Sequence, residues 1–192
     1  MNSLVMGGTD NENLKITVVG DGLVGKTCLL IVYTSKEFPT EYVPTVFENY
    51  SGEIVVDEKT YSLSLWDTAG QEDYERLRPL SYPKTRCFLL CYAVNSRPSF
   101  DNILSKWYPE VKHFKPDIPI ILVATKIDLR NDPTLDTIST AEGKRLRKKI
   151  KAYKLVECSA KNQEGLDDVF TEAVRAAVSA PKTKQFGNCI LL

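Results

Sequence analysis

Gly20-Asp21-Gly22-Leu23-Val24-Gly25-Lys26-Thr27 decides the fold. It follows a short β-branched apolar run at residues 15–19 and fits G-x-x-x-x-G-K-[ST] placed between a strand and a helix. The glycines let the backbone turn so that successive N–H groups point inward at phosphate oxygens. Lys26 supplies a cation for the β- and γ-phosphates and Thr27 a hydroxyl for Mg²⁺, while the helix that starts there adds its positive dipole end. Gly20, Gly22 and Gly25 also spell G-x-G-x-x-G, the dinucleotide fingerprint. That reading needs an acidic residue about 20 positions on, at the end of a second strand, to hold a ribose hydroxyl. Phe38-Pro39-Thr40-Glu41-Tyr42-Val43-Pro44 stands there instead, a loop with two prolines. It would also leave Lys26-Thr27 without a role.

Outward from this loop, residues 86–94 and 118–125 are near-continuous apolar runs of strand length, the pattern of a parallel sheet covered on both faces. Residues 53–56 and 61–66 read as a hairpin turned at Asp57-Glu58-Lys59-Thr60. Its second strand alternates, with Ser62 and Ser64 on one face and Leu63 and Leu65 on the other. Helical patterns at residues 99–111, 140–151 and 165–180 separate the apolar runs. Strands alternating with helices predict an α/β fold, a three-layer sandwich with a mostly parallel sheet. Residues 1–13 read as a mobile N-terminal tail and residues 181–192 as a flexible C-terminal one, leaving the domain at 14–180.

Composition narrows the chemistry. The 192 residues are 43% hydrophobic and 26% charged, which excludes a disordered or collagen-like chain. No apolar run approaches the roughly 18 residues of a membrane-spanning helix. The N-terminus has neither a basic nor an apolar segment of a secretory signal. Five cysteines, an odd number without metal-ligand spacing, read as reduced cytosolic thiols. A lone histidine, His113, argues against a histidine-dependent triad and against a multi-histidine metal site. Twenty-five basic residues balance 25 acidic ones, and a neutral chain argues against nucleic acid as partner. The balance is uneven, since residues 142–192 carry 11 basic against 6 acidic side chains. That bias suits a position near an anionic membrane, but a solvated basic helix at 144–151 is the simpler reading.

A second phosphate motif lies in Leu63-Ser64-Leu65-Trp66-Asp67-Thr68-Ala69-Gly70-Gln71. Asp67, ending a strand beside the phosphate loop, stands where a carboxylate holds nucleotide-bound Mg²⁺ through its water shell. Gly70 can bring its N–H close to a γ-phosphate, and Gln71 has a donor and an acceptor with which to orient an attacking water. Thr125-Lys126-Ile127-Asp128 follows an apolar strand, at the edge where open α/β sheets bind ligands. Asp128 can accept from guanine N1–H and N2–H₂, donors that adenine lacks. The Lys126 stem can lie along the base plane. Glu157-Cys158-Ser159-Ala160-Lys161 offers small residues and backbone amides for the guanine carbonyl.

With these motifs, residues 14–192 resemble the small GTPases of the Ras superfamily. Tyr42-Val43-Pro44-Thr45-Val46-Phe47-Glu48-Asn49-Tyr50, the run DTAGQEDYERLRPLSY at 67–82 and Lys106-Trp107-Tyr108-Pro109-Glu110-Val111 resemble the Rho family. The resemblance implies a P-loop small G domain with a six-stranded sheet that binds GTP and GDP with Mg²⁺. It implies a Rho-type switch that hydrolyses GTP slowly and signals to the actin cytoskeleton and membrane dynamics. Thr45 would ligate Mg²⁺ and sense the γ-phosphate, with Thr27 and, through water, Asp67 as the other metal residues. Phe38 would pack edge-on against guanine, Tyr42 would close over the phosphates, and Cys28 would contact the α-phosphate region through its backbone. Asp21, Gly22, Val24, Gly25 and Gly70 would line the phosphates, and Thr125, Ser159, Ala160 and Lys161 would join Lys126 and Asp128 at the base. Gln71, Lys26 and Gly22 form the implied catalytic group. Residues 41–50 and 71–82 would be the two switches read by effectors such as kinases or formins.

The resemblance further implies exchange factors, a dissociation inhibitor, and activating proteins supplying the arginine that the first switch lacks. Three features depart from the family pattern. Thr125 replaces the asparagine of the general guanine motif, as in Rac-like members. Only 28 residues separate Asp128 from Glu157, too few for the charged helix most Rho-family proteins insert there. Before Cys189 the tail carries only Lys182 and Lys184. Cys189-Ile190-Leu191-Leu192 fits C-a-a-X with leucine last, implying a geranylgeranyl anchor on Cys189. The chain is thus expected at the cytoplasmic face of membranes, the plasma membrane above all, and in the cytosol. Gln71 and Gly22 speak against a relative that binds nucleotide without turnover; Asp128 and residues 157–161 speak against a P-loop kinase or ATPase.

Overall fold

A computed structural model of the chain describes residues 13–39 and 47–180. The chain runs β1 (Asn13–Gly20), α1 (Lys26–Ser35), β2 (Phe47–Val56), β3 (Lys59–Thr68), β4 (Thr85–Ala93), α2 (Arg97–Asn102), α3 (Tyr108–Phe114), β5 (Ile120–Thr125), α4 (Thr140–Lys149), β6 (Lys154–Glu157) and α5 (Leu166–Ser179). The six strands make one sheet in the order β2-β3-β1-β4-β5-β6. Every pairing is parallel except that of β2 with β3. Alternation along β1 sends Ile16 and Val18 to a core with Leu29 of α1 and Phe170 of α5. On the other face Val19, Phe88 and Leu90 pack with Trp107, Val111 and Leu146. Two apolar cores separated by one sheet are the expected three layers.

The hairpin is tighter than its sequence suggests. Strand pairing continues to Val56↔Lys59, so the turn is only Asp57-Glu58, both left-handed at φ 49 and 66. That backbone matches the right-handed twist of the flanking strands, and Arg175 grips Asp57 with donors at 2.6 and 3.1 Å. β2 also begins earlier than residue 53, at Phe47 opposite Thr68. Its first half lacks apolar alternation because it is an edge strand held by its ladder more than by burial. β6, four residues with only Val156 buried, gives no periodic signal at all.

The expected helix at 99–111 is real but interrupted. Ile103–Trp107 forms a π-helical turn between α2 and α3. Pro109 explains the widening: it has no N–H for the Ser105 carbonyl four residues back, and its ring crowds that oxygen. Between the short 3₁₀ turn Ile127–Asn131 and α4 the described residues hold no further helix. No helix among the described residues is long and apolar enough to cross a membrane. Because β1, β3, β4, β5 and β6 run in parallel, the loops that follow them emerge at one edge of the sheet.

Candidate nucleotide site

The loop after β1 turns into α1 through Gly25, whose φ of 92 is the left-handed conformation glycine tolerates. No side chain caps the start of α1, an arrangement that an anion completes. Lys26 is buried, and its ammonium donates to the carbonyls of Gly20 (2.9 Å) and Asp21 (2.8 Å). Burial pulls its pKa below the ordinary lysine value, opposed by the nearby Asp67. Thr125, at the end of β5, donates its hydroxyl to Val24 O (2.6 Å) and Tyr92 O (3.1 Å). It therefore ties the phosphate loop to the sheet. Val24 itself points into the core at 2% exposure, so its part in a phosphate site is its backbone. Asp21 likewise offers the backbone, because Trp107 and Asn102 bind its carboxylate.

At the end of β3 the fully buried Asp67 accepts from the Thr27 hydroxyl at 2.6 Å through Oδ2. Its Oδ1 is buried without a hydrogen-bond partner, and burial raises its pKa above the usual carboxylate value. A buried carboxylate with one unsatisfied oxygen beside a threonine hydroxyl fits a hard, oxygen-seeking cation such as Mg²⁺. Among the described residues no three His, Cys, Asp or Glu gather as a metal cage. Few protein oxygens plus phosphates is the pattern Mg²⁺ uses. Gly70 lies against the phosphate loop: a Cβ there would stand 2.4 Å from Gly20 O, Asp21 C and Gly22 N. The close approach sets the exposed Gln71 beside Gly22, with Cγ 3.9 Å from where a Cβ of residue 22 would be.

A cavity of about 220 Å³ opens beyond the loop, lined by Gly25, Cys28, Phe38, Lys126, Asp128 and Ala160 among others. Ser159 donates to Asp128 Oδ1 at 2.6 Å and orients the carboxylate. Ile127 N–H bonds Cys158 O (3.3 Å), joining the two loops that carry these residues. Lys126 is left-handed at φ 60, and its ammonium reaches Leu23 O at 2.8 Å. Its stem therefore crosses the edge of the cavity, with Cε 3.7 Å from a Cβ position on Gly25. Phe38 stands at the mouth, 48% exposed, and Lys161 also lines it. Arg130 (2.7 Å) and Thr140 (2.9 Å) anchor Glu157 below the pocket. Burial alone would raise the Glu157 pKa, but these bonds hold it below the usual carboxylate value.

Every expected site residue among the described ones thus comes to a single edge. Tyr42, Thr45 and Cys189 lie outside the described residues. Sequence reasoning missed the buried support beneath the site. Arg78, with no exposed side-chain surface, makes a bidentate bond to Glu110 (2.9 Å each) and donates to Ala69 O (2.9 Å). The Tyr82 hydroxyl also donates to Glu110. No periodic signal marks these residues, since charged side chains read as surface.

Residues 15–179 match the model of the Ras family. Over 179 residues the chain is 59% identical to a Drosophila melanogaster protein named Ras-like GTP-binding protein RhoL, covering 93% of this chain and 94% of that one.

Proposed function

Because the chain belongs to the Ras family of GTP-binding, GTP-hydrolysing small GTPases, we propose that it is a Rho-type switch with slow turnover of its own. Gly70 against the phosphate loop, with Gln71 beside Gly22, is the observation that carries this reading. Phosphoryl transfer asks for positioning and charge neutralisation rather than covalent chemistry. On nucleotide binding, Lys26 exchanges two backbone carbonyls for phosphate oxygens. Gly70 offers its N–H to the γ-phosphate, and Gln71 orients the attacking water. Mg²⁺, held by Thr27, by Asp67 through water and by Thr45, would supply charge neutralisation. Asp128, pre-oriented by Ser159, selects guanine.

The Rho assignment within the superfamily draws on residues 42–50, 67–82 and 106–111, and on the name of the 59% relative. Leu77 and Leu80, 55% and 73% exposed, give the segment 71–82 the apolar surface a partner would cover. Exchange factors, activating proteins, a dissociation inhibitor and effectors such as kinases or formins are the proposed partners. Cys189, in C-a-a-X context, is the proposed prenyl anchor to the cytoplasmic face of the plasma membrane, with a cytosolic pool. Single-turnover hydrolysis with purified activating proteins tests the subfamily. A Rho-specific activator should accelerate the reaction by on the order of 10³–10⁵, and a Ras-specific one should not; the reverse preference overturns the Rho reading. Fractionation of the Cys189→Ser variant tests the anchor, and its retention on membranes would refute it.

A further inference from the structure

Asp21 sits within the phosphate loop, yet its carboxylate is bound from outside it. Oδ1 accepts from Trp107 Nε1 at 2.6 Å and Oδ2 from Asn102 Nδ2 at 2.7 Å. In a regular α-helix, side chains five residues apart diverge by about 140°. The π-helical turn, in which residues five apart stack, lets residues 102 and 107 reach one carboxylate together. The same turn also reaches the second phosphate motif. The Arg78 guanidinium lies 4.5 Å over the Trp107 ring and donates to Ala69 O. Lys106 Nζ, 4.8 Å from the centroid of the same Trp107 ring, pairs with Glu72 at 2.8 Å. Between Ala69 and Glu72 stand Gly70, in backbone contact with Asp21, and Gln71. The π-turn therefore holds both phosphate motifs at once.

We propose that Trp107 and Asn102 are positioning residues for GTP hydrolysis: through Asp21 they fix the offset between the phosphate loop and Gly70-Gln71. This rests on Gly70 and Gln71 serving the γ-phosphate, as read above. The test is single-turnover GTP hydrolysis beside GDP affinity in the full-length chain, for Trp107→Phe, Asn102→Ala, Asp21→Ala and Asp21→Asn. Misplacement of reacting groups by about 1 Å can cost about 10²-fold. The first three variants should therefore lose about tenfold or more in hydrolysis while GDP affinity stays within about threefold. Asp21→Asn, whose Oδ1 can still accept from the Trp107 indole N–H but whose Nδ2 cannot accept from Asn102, should fall between Asp21→Ala and the parent. In the Asp21→Ala background, Trp107→Phe and Asn102→Ala should cost nothing further, because their shared target is gone. A merely structural role would instead make the losses multiply. Parental rates in the folded single variants, or multiplying losses, would overturn the proposal. Should Trp107→Phe fail to fold, Asn102→Ala, on the half-exposed side of the turn, decides alone. A parent that does not hydrolyse GTP would refute the functional reading itself; a parent that does, with indifferent variants, refutes only the brace.

Discussion

Replacing Gly70 by alanine inserts one methyl group at the tightest point between the two phosphate motifs. The new Cβ would meet Gly20 O, Asp21 C and Gly22 N, each at 2.4 Å. Non-bonded carbon contacts settle near 3.5 Å, so the two segments must separate by about 1 Å. All three atoms are backbone and none can rotate away. Behind them, Lys26 and the Trp107 and Asn102 bonds hold the loop, so the displacement falls mainly on residues 70 and 71. A shift of about 1 Å in a positioning group costs about 10²-fold in rate, or about 2.7 kcal/mol of barrier. The base cavity and Lys26 are untouched, so GDP should bind within about tenfold of the parent. Stopped-flow titration with a fluorescent GDP analogue gives the affinity, and single-turnover product analysis gives the rate. Circular dichroism confirms the variant is folded. A folded Gly70→Ala protein hydrolysing GTP at the parental rate would refute the claim that this contact sets the geometry of Gln71.

Three further perturbations probe other parts of the molecule. Asp128→Asn should lower GTP affinity by about 10²-fold or more, because hydrogen bonds to a charged group are worth about 1.5–3 kcal/mol each; competition between GTP and xanthosine triphosphate should show preference moving to xanthine, which presents a carbonyl where guanine has its amine. Arg78→Met leaves Glu110 facing Tyr82 without its cation, and breaking such a buried pair costs about 3–5 kcal/mol, readable by urea denaturation; adding Glu110→Leu should recover much of the loss. Glu142 closes the capping box of α4 by accepting from the Ser139 N–H (3.0 Å) and hydroxyl (2.8 Å), and Arg97 stands 2.9 Å away. These bonds lower its pKa from 4.5 to about 2. Stability from this depressed carboxyl is complete above about pH 4.5 and drains as pH falls toward 2. Glu142→Gln should therefore melt below the parent at pH 7 and alongside it near pH 2.

The parts of the fold legible in the sequence are those where burial writes a period. β4 and β5 are covered on both faces and appear as unbroken apolar runs, and Leu63 and Leu65 of β3 mark the inner face of the hairpin. The phosphate loop is legible because a phosphate can be cradled by few backbone paths, and these demand glycine and lysine at fixed spacing. Asp67, Gly70 and Asp128 become legible only relative to that loop. What stayed hidden is held by side chains instead of periodicity. Arg78 and Glu110, 32 residues apart, read as surface charges until the fold buries them together. Thr125 reads as a departure from the guanine motif, whereas its hydroxyl ties Val24 to the sheet. The π-turn follows from a single proline acting on a carbonyl four residues away, and helical patterning passes over it.

Single-turnover GTP hydrolysis by Gln71→Leu, measured together with its GTP affinity, bears most directly on the site. Leucine keeps the bulk of the side chain but can neither donate to nor accept from water. The geometry at Gly22 and Gly70 predicts GTP affinity within about threefold of the parent and hydrolysis slowed at least about tenfold, with a larger loss when an activating protein is present. Hydrolysis at the parental rate would contradict it, and would mean that another group positions the attacking water.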